Sequence, residues 1–132
     1  MTPLRPPQLS AVAAVAVGGA AGALLRYGLT AIFPDGAEAF PWTILAVNVV
    51  GCFALGLLPG LAVARRRPLL TPLLGPGLLG GFTTLSTYSE QTRALLAGGH
   101  SLVAAGYVVG TPAACLLAVA LAARVAVGRS DR

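Results

Sequence analysis

The sequence predicts an all-α membrane protein with four transmembrane helices. Hydrophobic residues make up 56% of the 132 residues and charged residues only 10%, whereas soluble domains carry roughly 25% charged residues. Four stretches contain no charged residue, and each reaches the roughly 18 residues that indicate a spanning helix: 8–25, 39–64, 68–89 and 94–123. We therefore expect one membrane domain, residues 1–132, with spans at 9–31, 41–64, 69–96 and 100–125.

The third span contains a segment that is unsuited to a continuous helix. Residues 80–91 read GGFTTLSTYSEQ. Glycine weakens a helix, and hydroxyl groups offer the backbone alternative hydrogen bonds. Because an unpaired backbone group is costly in hydrocarbon, a break at this depth is tolerated only beside protein or a wet cavity. The segment therefore predicts a helix that is broken near residues 80–84 and lines a polar path.

Arginine residues are distributed unevenly along the chain and predict its orientation. All nine basic residues are Arg, and with four spans two of them, Arg26 and Arg93, lie on the side opposite the termini. The other seven share the side of both termini: Arg5, Arg65, Arg66, Arg67, Arg124, Arg129 and Arg132. The positive-inside rule then places both termini in the cytoplasm. This topology also explains the net charge of +5, so the charge does not indicate a nucleic-acid-binding protein.

The titratable residues do not favour an enzyme or a proton-coupled transporter. The chain has one His and two Cys, both in hydrophobic runs, so no nucleophile–base pair or metal cluster is predicted. A small multidrug-type proton antiporter is another four-helix protein of this size, but it needs a carboxylate within the membrane. None of the four acidic residues lies in the middle of a span: Asp35, Glu38, Glu90 and Asp131.

Several polar residues nevertheless lie in or beside the predicted spans. Asn48 should face the bundle interior, either as a hydrogen-bonding contact between helices or as a donor to a permeating anion. Arg26 either extends to the membrane surface or contributes to an electropositive vestibule. Tyr107, Thr111 and Cys115 recur every four residues in the last span and form one polar stripe. A stripe that faces a broken helix favours a lined path.

The whole chain resembles the Fluc/CrcB fluoride channels, small four-helix bacterial membrane proteins that export fluoride. Three motifs carry the resemblance, and they occur in the family's order: GGxxGAxxRY at 18–27, NxxGxFxxG at 48–56 and GGxTTxST at 80–87. The third motif is specific, whereas the first two would be weak alone. In the first, the spacing of Gly18 and Gly22 is also typical of close helix packing.

The resemblance implies a mechanism as well as a fold. Members of the family are antiparallel dimers with pores at the subunit interface, and they export fluoride passively across the plasma membrane. A structural Na+ would be held at the break by the backbone carbonyls of Gly80 and Thr83. The fluoride path would include Asn48, with Arg26 beside a vestibule, the polar stripe of the last span and two residues after the break: Tyr107, Thr111, Cys115, Ser86 and Tyr88.

The chain also departs from the family pattern at the break. Leu85 and Tyr88 replace two phenylalanines, and Leu85 has no electropositive ring edge to offer an anion. The family's Glu should fall at Gln91, but here the carboxylate is at Glu90. Pro112 lies inside the last span, where proline usually kinks a helix. These departures put one aromatic position of the pore in doubt.

The uneven charge bears on the choice of partner. A subunit that inserts in both orientations to form an antiparallel homodimer should carry nearly balanced arginines, and this chain does not. We therefore favour a heterodimer with a paralogous subunit over a homodimer. Leu85 leaves open that the chain is a required partner whose own pore has degenerated.

Overall fold

The computed structural model describes residues 9–36, 38–61 and 66–130, and every regular element in these ranges is helical. We number the helices α1 to α5: Leu9–Ile32, Trp42–Leu57, 70–82, Leu85–Ala97 and Ser101–Ser130. A short 3₁₀ turn, Leu58–Gly60, extends α2. Three residues used to predict the orientation lie outside the described residues: Arg5, Arg65 and Arg132.

In the described ranges, three helices are long and apolar enough to cross a membrane: Leu9–Ile32, Trp42–Gly60 and Ser101–Val127. This confirms the coarse prediction of an all-α membrane protein. The third predicted span is occupied by α3 and α4, which are separated by Thr83 and Thr84. The gap falls within the predicted range 80–84. That α3 and α4 cross the membrane together as a fourth span stays a prediction, as does the dimer.

The residues around the break explain its position. Pro72 and Pro76 lack the N–H groups that an α-helix needs, and Leu73–Leu79, the part of α3 that contains Pro76, is wound as a wider π-helix. The chain becomes extended at Thr83, with φ −73° and ψ 156°. Thr84 is extended too, and its hydroxyl caps α4 by accepting a 3.1 Å hydrogen bond from the Thr87 N–H.

Glycines allow α1 to pack directly on the backbone of α3. A Cβ atom at Gly18 would overlap the carbonyl oxygen of Leu73, and one at Gly22 would overlap that of Leu78. This confirms the close packing predicted from the spacing of the two glycines. Helix α2 approaches α5 in the same manner, with Gly56 against Ala122.

A small buried core joins α2, α4 and α5 beyond the break. Its fully buried residues are Ile44, Leu95, Ala104 and Tyr107. Helix α4 then ends in a Schellman motif. Gly99 adopts φ +80°, and the N–H groups of Gly99 and His100 donate to the carbonyls of Leu96 and Leu95 at 3.1 and 2.9 Å. The turn leads straight into α5.

Candidate functional site

A cavity of about 460 Å³ lies where α2, the break, α4 and α5 meet. It brings together six of the nine site residues expected from the sequence: Asn48, Gly80, Thr83, Tyr88, Thr111 and Cys115. Four further residues complete its lining: Cys52, Thr84, Leu85 and Pro112. The cavity is therefore the candidate site.

A second cavity continues the first along the seam between α2 and α3. It measures about 330 Å³ and shares Cys52, Gly80 and Thr83 with the larger one. Its far end is lined by Leu55 and Gly75. The two cavities together run along α2 from Asn48 to Leu55, beside the break.

Asn48 binds the backbone of the break. Its side-chain oxygen accepts a 2.8 Å hydrogen bond from the Thr84 N–H, and its side-chain nitrogen donates to the Thr84 carbonyl at 3.1 Å. These two contacts fix the orientation of the amide, because its donor and acceptor ends are not interchangeable here. Asn48 thus satisfies both backbone groups of Thr84. The described hydrogen bonds use one of the two amide N–H groups of Asn48.

Thr111 presents a buried hydroxyl to the cavity wall. The residue is 3% exposed, and its Oγ1 has no hydrogen-bond partner in the part of the chain that the structure describes. A threonine in a helix usually bonds back to the carbonyl four residues earlier, but Thr111 does not. Leaving a buried hydroxyl unpaired costs about 1–3 kcal/mol. A polar occupant of the cavity would recover this energy.

Tyr88 supplies a hydrogen bond that Pro112 cannot make. Pro112 has no N–H to donate to the Val108 carbonyl one turn earlier in α5. The Tyr88 hydroxyl donates to that carbonyl instead, at 2.9 Å. Helix α5 continues through Pro112 without interruption, and this hydrogen bond ties the Tyr88 ring to α5.

Three expected site residues do not line the main cavity. Tyr107 is fully buried behind it, with its hydroxyl donating to the Gln91 side-chain oxygen at 2.8 Å. Ser86 is exposed, with its hydroxyl 3.2 Å from that of Thr84. Arg26 is half-buried, and its Nε donates to the Gly81 carbonyl at 3.4 Å. Arg26 therefore approaches the break from the side of α1.

Sequence reasoning missed two participants of the site. Gln91 was noted only as the position where the family has Glu, yet it holds the Tyr107 hydroxyl. Cys52 was noted only as a cysteine in a hydrophobic run, yet it lines both cavities. Its spacing from Asn48, four residues on the same helix, was the signal that could have placed it on the cavity wall.

At the break, two helix ends of opposite partial charge are separated only by Thr83 and Thr84. The carboxyl end of α3 carries partial negative charge, and the amino end of α4 carries partial positive charge. Among the described residues, no side chain donates to the carbonyls of Gly80 or Thr83. The Thr83 carbonyl belongs to extended backbone and the Gly80 carbonyl to the last turn of α3. Carbonyls at a helix end or in unwound backbone are suitable ligands for Na+, so the donor set at the break fits such an ion.

A family model described as "CrcB-like protein, Camphor Resistance (CrcB)" matches residues 13–123. The chain belongs to the CrcB family. The match to this family covers most of α1, all of α2 to α4 and most of α5.

Individual CrcB relatives are similar over nearly the full chain. A protein of Nocardia farcinica named fluoride-specific ion channel FluC 2 is 44% identical, with 98% of each chain covered. FluC 1 of Streptomyces coelicolor is 44% identical over 88% of this chain and 77% of its own length. FluC of Paracoccus denitrificans is 42% identical, with 80% and 85% covered. The sequence-based recognition of the family is confirmed.

Proposed function

We propose that this chain is a subunit of a fluoride-selective channel that exports fluoride passively from the bacterial cytoplasm. The observation that carries the proposal is the buried, unpartnered hydroxyl of Thr111 in a cavity beside the broken helix. The names of the CrcB relatives, all fluoride-specific ion channels, supply the identity of the ion. An inside-negative membrane potential drives an anion outward by about 2.3 kcal/mol per 100 mV.

The chemistry of the cavity is suited to a small, strongly hydrated anion. Fluoride must lose water in a narrow path, and hydroxyl and amide N–H groups can replace that water. The Thr111 hydroxyl and the remaining N–H of Asn48 are such donors. The positively charged amino end of α4 lies beside them. We place Cys115 and the ring of Tyr88 along the same path.

The three expected residues outside the main cavity keep proposed roles. Ser86 lies in the first turn of α4, where its hydroxyl would extend the path beyond the break. Tyr107 would complete the path where it leaves the cavity. Arg26 would attract anions from the side of α1 while its Nε holds the Gly81 carbonyl.

A Na+ ion held by the carbonyls of Gly80 and Thr83 is the proposed structural cofactor. It would neutralise the negative end of α3 and add positive potential close to the anion path. The test is to purify the protein and measure fluoride release with every Na+ replaced by N-methylglucamine. We expect release to fall and to return when Na+ is restored. Release that is unchanged without Na+ would contradict the cofactor.

The exposed rim of the cavity supports a dimer. Leu85 lines the cavity but is 76% exposed, so the cavity is open at this rim and a second subunit placed there would close it. We propose an antiparallel dimer with its pores at this interface, in the plasma membrane, with α3 and α4 forming the fourth span and both termini in the cytoplasm. The seven-to-two distribution of arginines favours a paralogous partner. Relatives with numbered names, FluC 1 and FluC 2, agree with paired genes.

Fluoride release from liposomes that contain only this chain tests the function. A fluoride electrode reads release after a potassium ionophore is added to balance charge, and chloride release is the selectivity control. If the chain needs a paralog, we expect no release alone and rapid, chloride-sparing release after co-reconstitution with a paralog of opposite charge bias. Rapid release by the chain alone would establish a homodimeric channel and overturn the heterodimer. No fluoride release in either case would overturn the channel.

The alternative within the same family is a pore-deficient partner subunit. Leu85 is the observation that favours it, because an aliphatic side chain occupies an aromatic position of the family pattern. Leu85→Phe separates the two functions when this chain is paired with a paralog. If the pores lined by this chain already conduct, we expect little change in release. A large increase would indicate that Leu85 had closed them.

A further inference from the structure

The only two cysteines of the chain both line the candidate site. Cys52 lies on α2 and Cys115 on α5, and both line the 460 Å³ cavity. Both are free and half-buried. The two side chains lie near enough to interact electrostatically. A pair of thiols therefore lines one shared cavity.

The thiols form a separate layer of the cavity wall. Cys52 follows Asn48 by four residues, and Cys115 follows Thr111 by four. One helical turn therefore separates each thiol from the polar side chain that precedes it on the same helix. Helices α2 and α5 pack against one another, so the two cysteines contribute to the same cavity from different helices. The anion path described above does not need both of them.

Two sulfur ligands select a particular class of ion. Thiolates bind soft cations such as Cu+, whereas hard cations prefer oxygen. In the described ranges no group of three or more His, Cys, Asp or Glu side chains is placed to hold a metal, whereas structural zinc sites use four ligands. Soft monovalent cations accept two sulfur ligands, so the pair fits this class.

We propose that Cys52 and Cys115 bind one soft monovalent cation, such as Cu+ or Ag+, and that its binding closes the cavity to anions. Both thiols release their protons to water, and the cation bonds to both sulfurs without any change of oxidation state. The pair changes from neutral to a net charge of −1. A negative charge in a poorly solvated cavity repels fluoride. The closure, but not the binding, rests on the proposed function.

Cation binding is tested on the full-length protein in detergent, with Ag+ added as silver nitrate in chloride-free buffer. The intact mass after reaction with N-ethylmaleimide counts the thiols that Ag+ protects. We expect one equivalent of Ag+ per chain to protect both thiols together. Protection of one thiol per Ag+, or of neither, would overturn the site. This measurement needs no variant, so a folding defect cannot obscure it.

Single substitutions test whether the two thiols act together. Substituting a residue that only supports a metal's ligands reduces metal affinity by about 10- to 100-fold. Because Cys52 and Cys115 would be ligands themselves, Cys52→Ala and Cys115→Ala should each weaken Ag+ binding by at least about 100-fold. Either variant with wild-type affinity would show that the thiols bind independently. Leu117→Cys in a chain that lacks both natural cysteines provides a lone thiol on the exposed face of α5 as the comparison.

Fluoride release tests the closure. Each protein is compared with itself before and after Ag+ addition, in the subunit combination that conducts. We expect Ag+ to reduce wild-type release to the protein-free rate and to leave the Cys52→Ala variant at its own initial rate. Full binding of Ag+ without block would overturn the closure alone. Thiol protection in a protein that never conducts would leave the cation site standing and reject the channel.

Discussion

The Tyr88 hydroxyl donates a 2.9 Å hydrogen bond to the Val108 carbonyl, which is the carbonyl that Pro112 leaves without its helical partner. Tyr88 and Pro112 are both departures from the family pattern, and the sequence offers no reason to connect them. In the structure they compensate for one another. The hydroxyl that distinguishes tyrosine from phenylalanine therefore holds the Tyr88 ring against α5.

This pairing predicts non-additive substitutions. Tyr88→Phe should lower the free energy of unfolding by about 0.5–1.5 kcal/mol, the usual net contribution of a hydrogen bond. In the Pro112→Ala background the same change should cost little, because the new N–H bonds the Val108 carbonyl. A double-mutant cycle in detergent measures the coupling. Equal costs of Tyr88→Phe in both backgrounds would show that the two residues are independent.

Thr111→Val separates a transport role from a structural one. The substitution replaces an unpartnered hydroxyl with a methyl group of similar size, so we expect the free energy of unfolding to stay equal or to rise by about 1 kcal/mol. Fluoride release should nevertheless fall, since the path loses a donor. Thr111→Ser keeps the hydroxyl and should keep most of the release. Unchanged release by Thr111→Val would remove this residue from the path.

Asn48→Leu should impair both release and stability. The change leaves the N–H and carbonyl of Thr84 without their partner, and each unpaired buried group costs about 1–3 kcal/mol. Val50→Ala, on the exposed face of the same helix, is the matched control and should change the free energy of unfolding much less. The two variants are compared by thermal unfolding in detergent and by fluoride release. If Asn48→Leu behaved like the control, Asn48 would not hold the break.

Two glycines of α1 give a matched test of helix packing. A Cβ atom at Gly22 meets the backbone of α3, whereas one at Gly28 meets nothing within 4 Å. Overpacking costs about 1–3 kcal/mol, so Gly22→Ala should destabilise the protein. Gly28→Ala should be neutral or stabilising by up to about 1 kcal/mol, since alanine favours the helix. Equal effects on the unfolding temperature would mean that α1 and α3 are not in direct backbone contact.

Local chemistry made the helix break predictable from the sequence, but not the contacts that hold it. Glycines and threonines weaken a helix wherever they cluster, so the position of the gap at Thr83 and Thr84 follows from the segment itself. The partner of Thr84 lies 36 residues away at Asn48. No periodicity connects two helices across that distance, and only the fold reveals that the amide is engaged by the backbone.

The polar stripe of the last span shows a second limit of predicting the site from residue spacing. Each step of four residues advances about 40° around a helix, because successive residues are about 100° apart. Thr111 and Cys115 consequently face the cavity, while Tyr107 has turned into the core and bonds Gln91. A stripe drawn from spacing alone treats the three residues as equivalent.

The Schellman turn at Gly99 has a consequence for how the chain is made. Helix α4 is not among the helices long and apolar enough to span a membrane, whereas α5 is. The turn joins them with only Gly98, Gly99 and His100 between their ends. On the proposed topology α4 therefore enters the bilayer as one arm of a helical hairpin, after α5 has left the ribosome. A nascent chain that stops before Ser101 should still have α4 accessible to water-soluble labels.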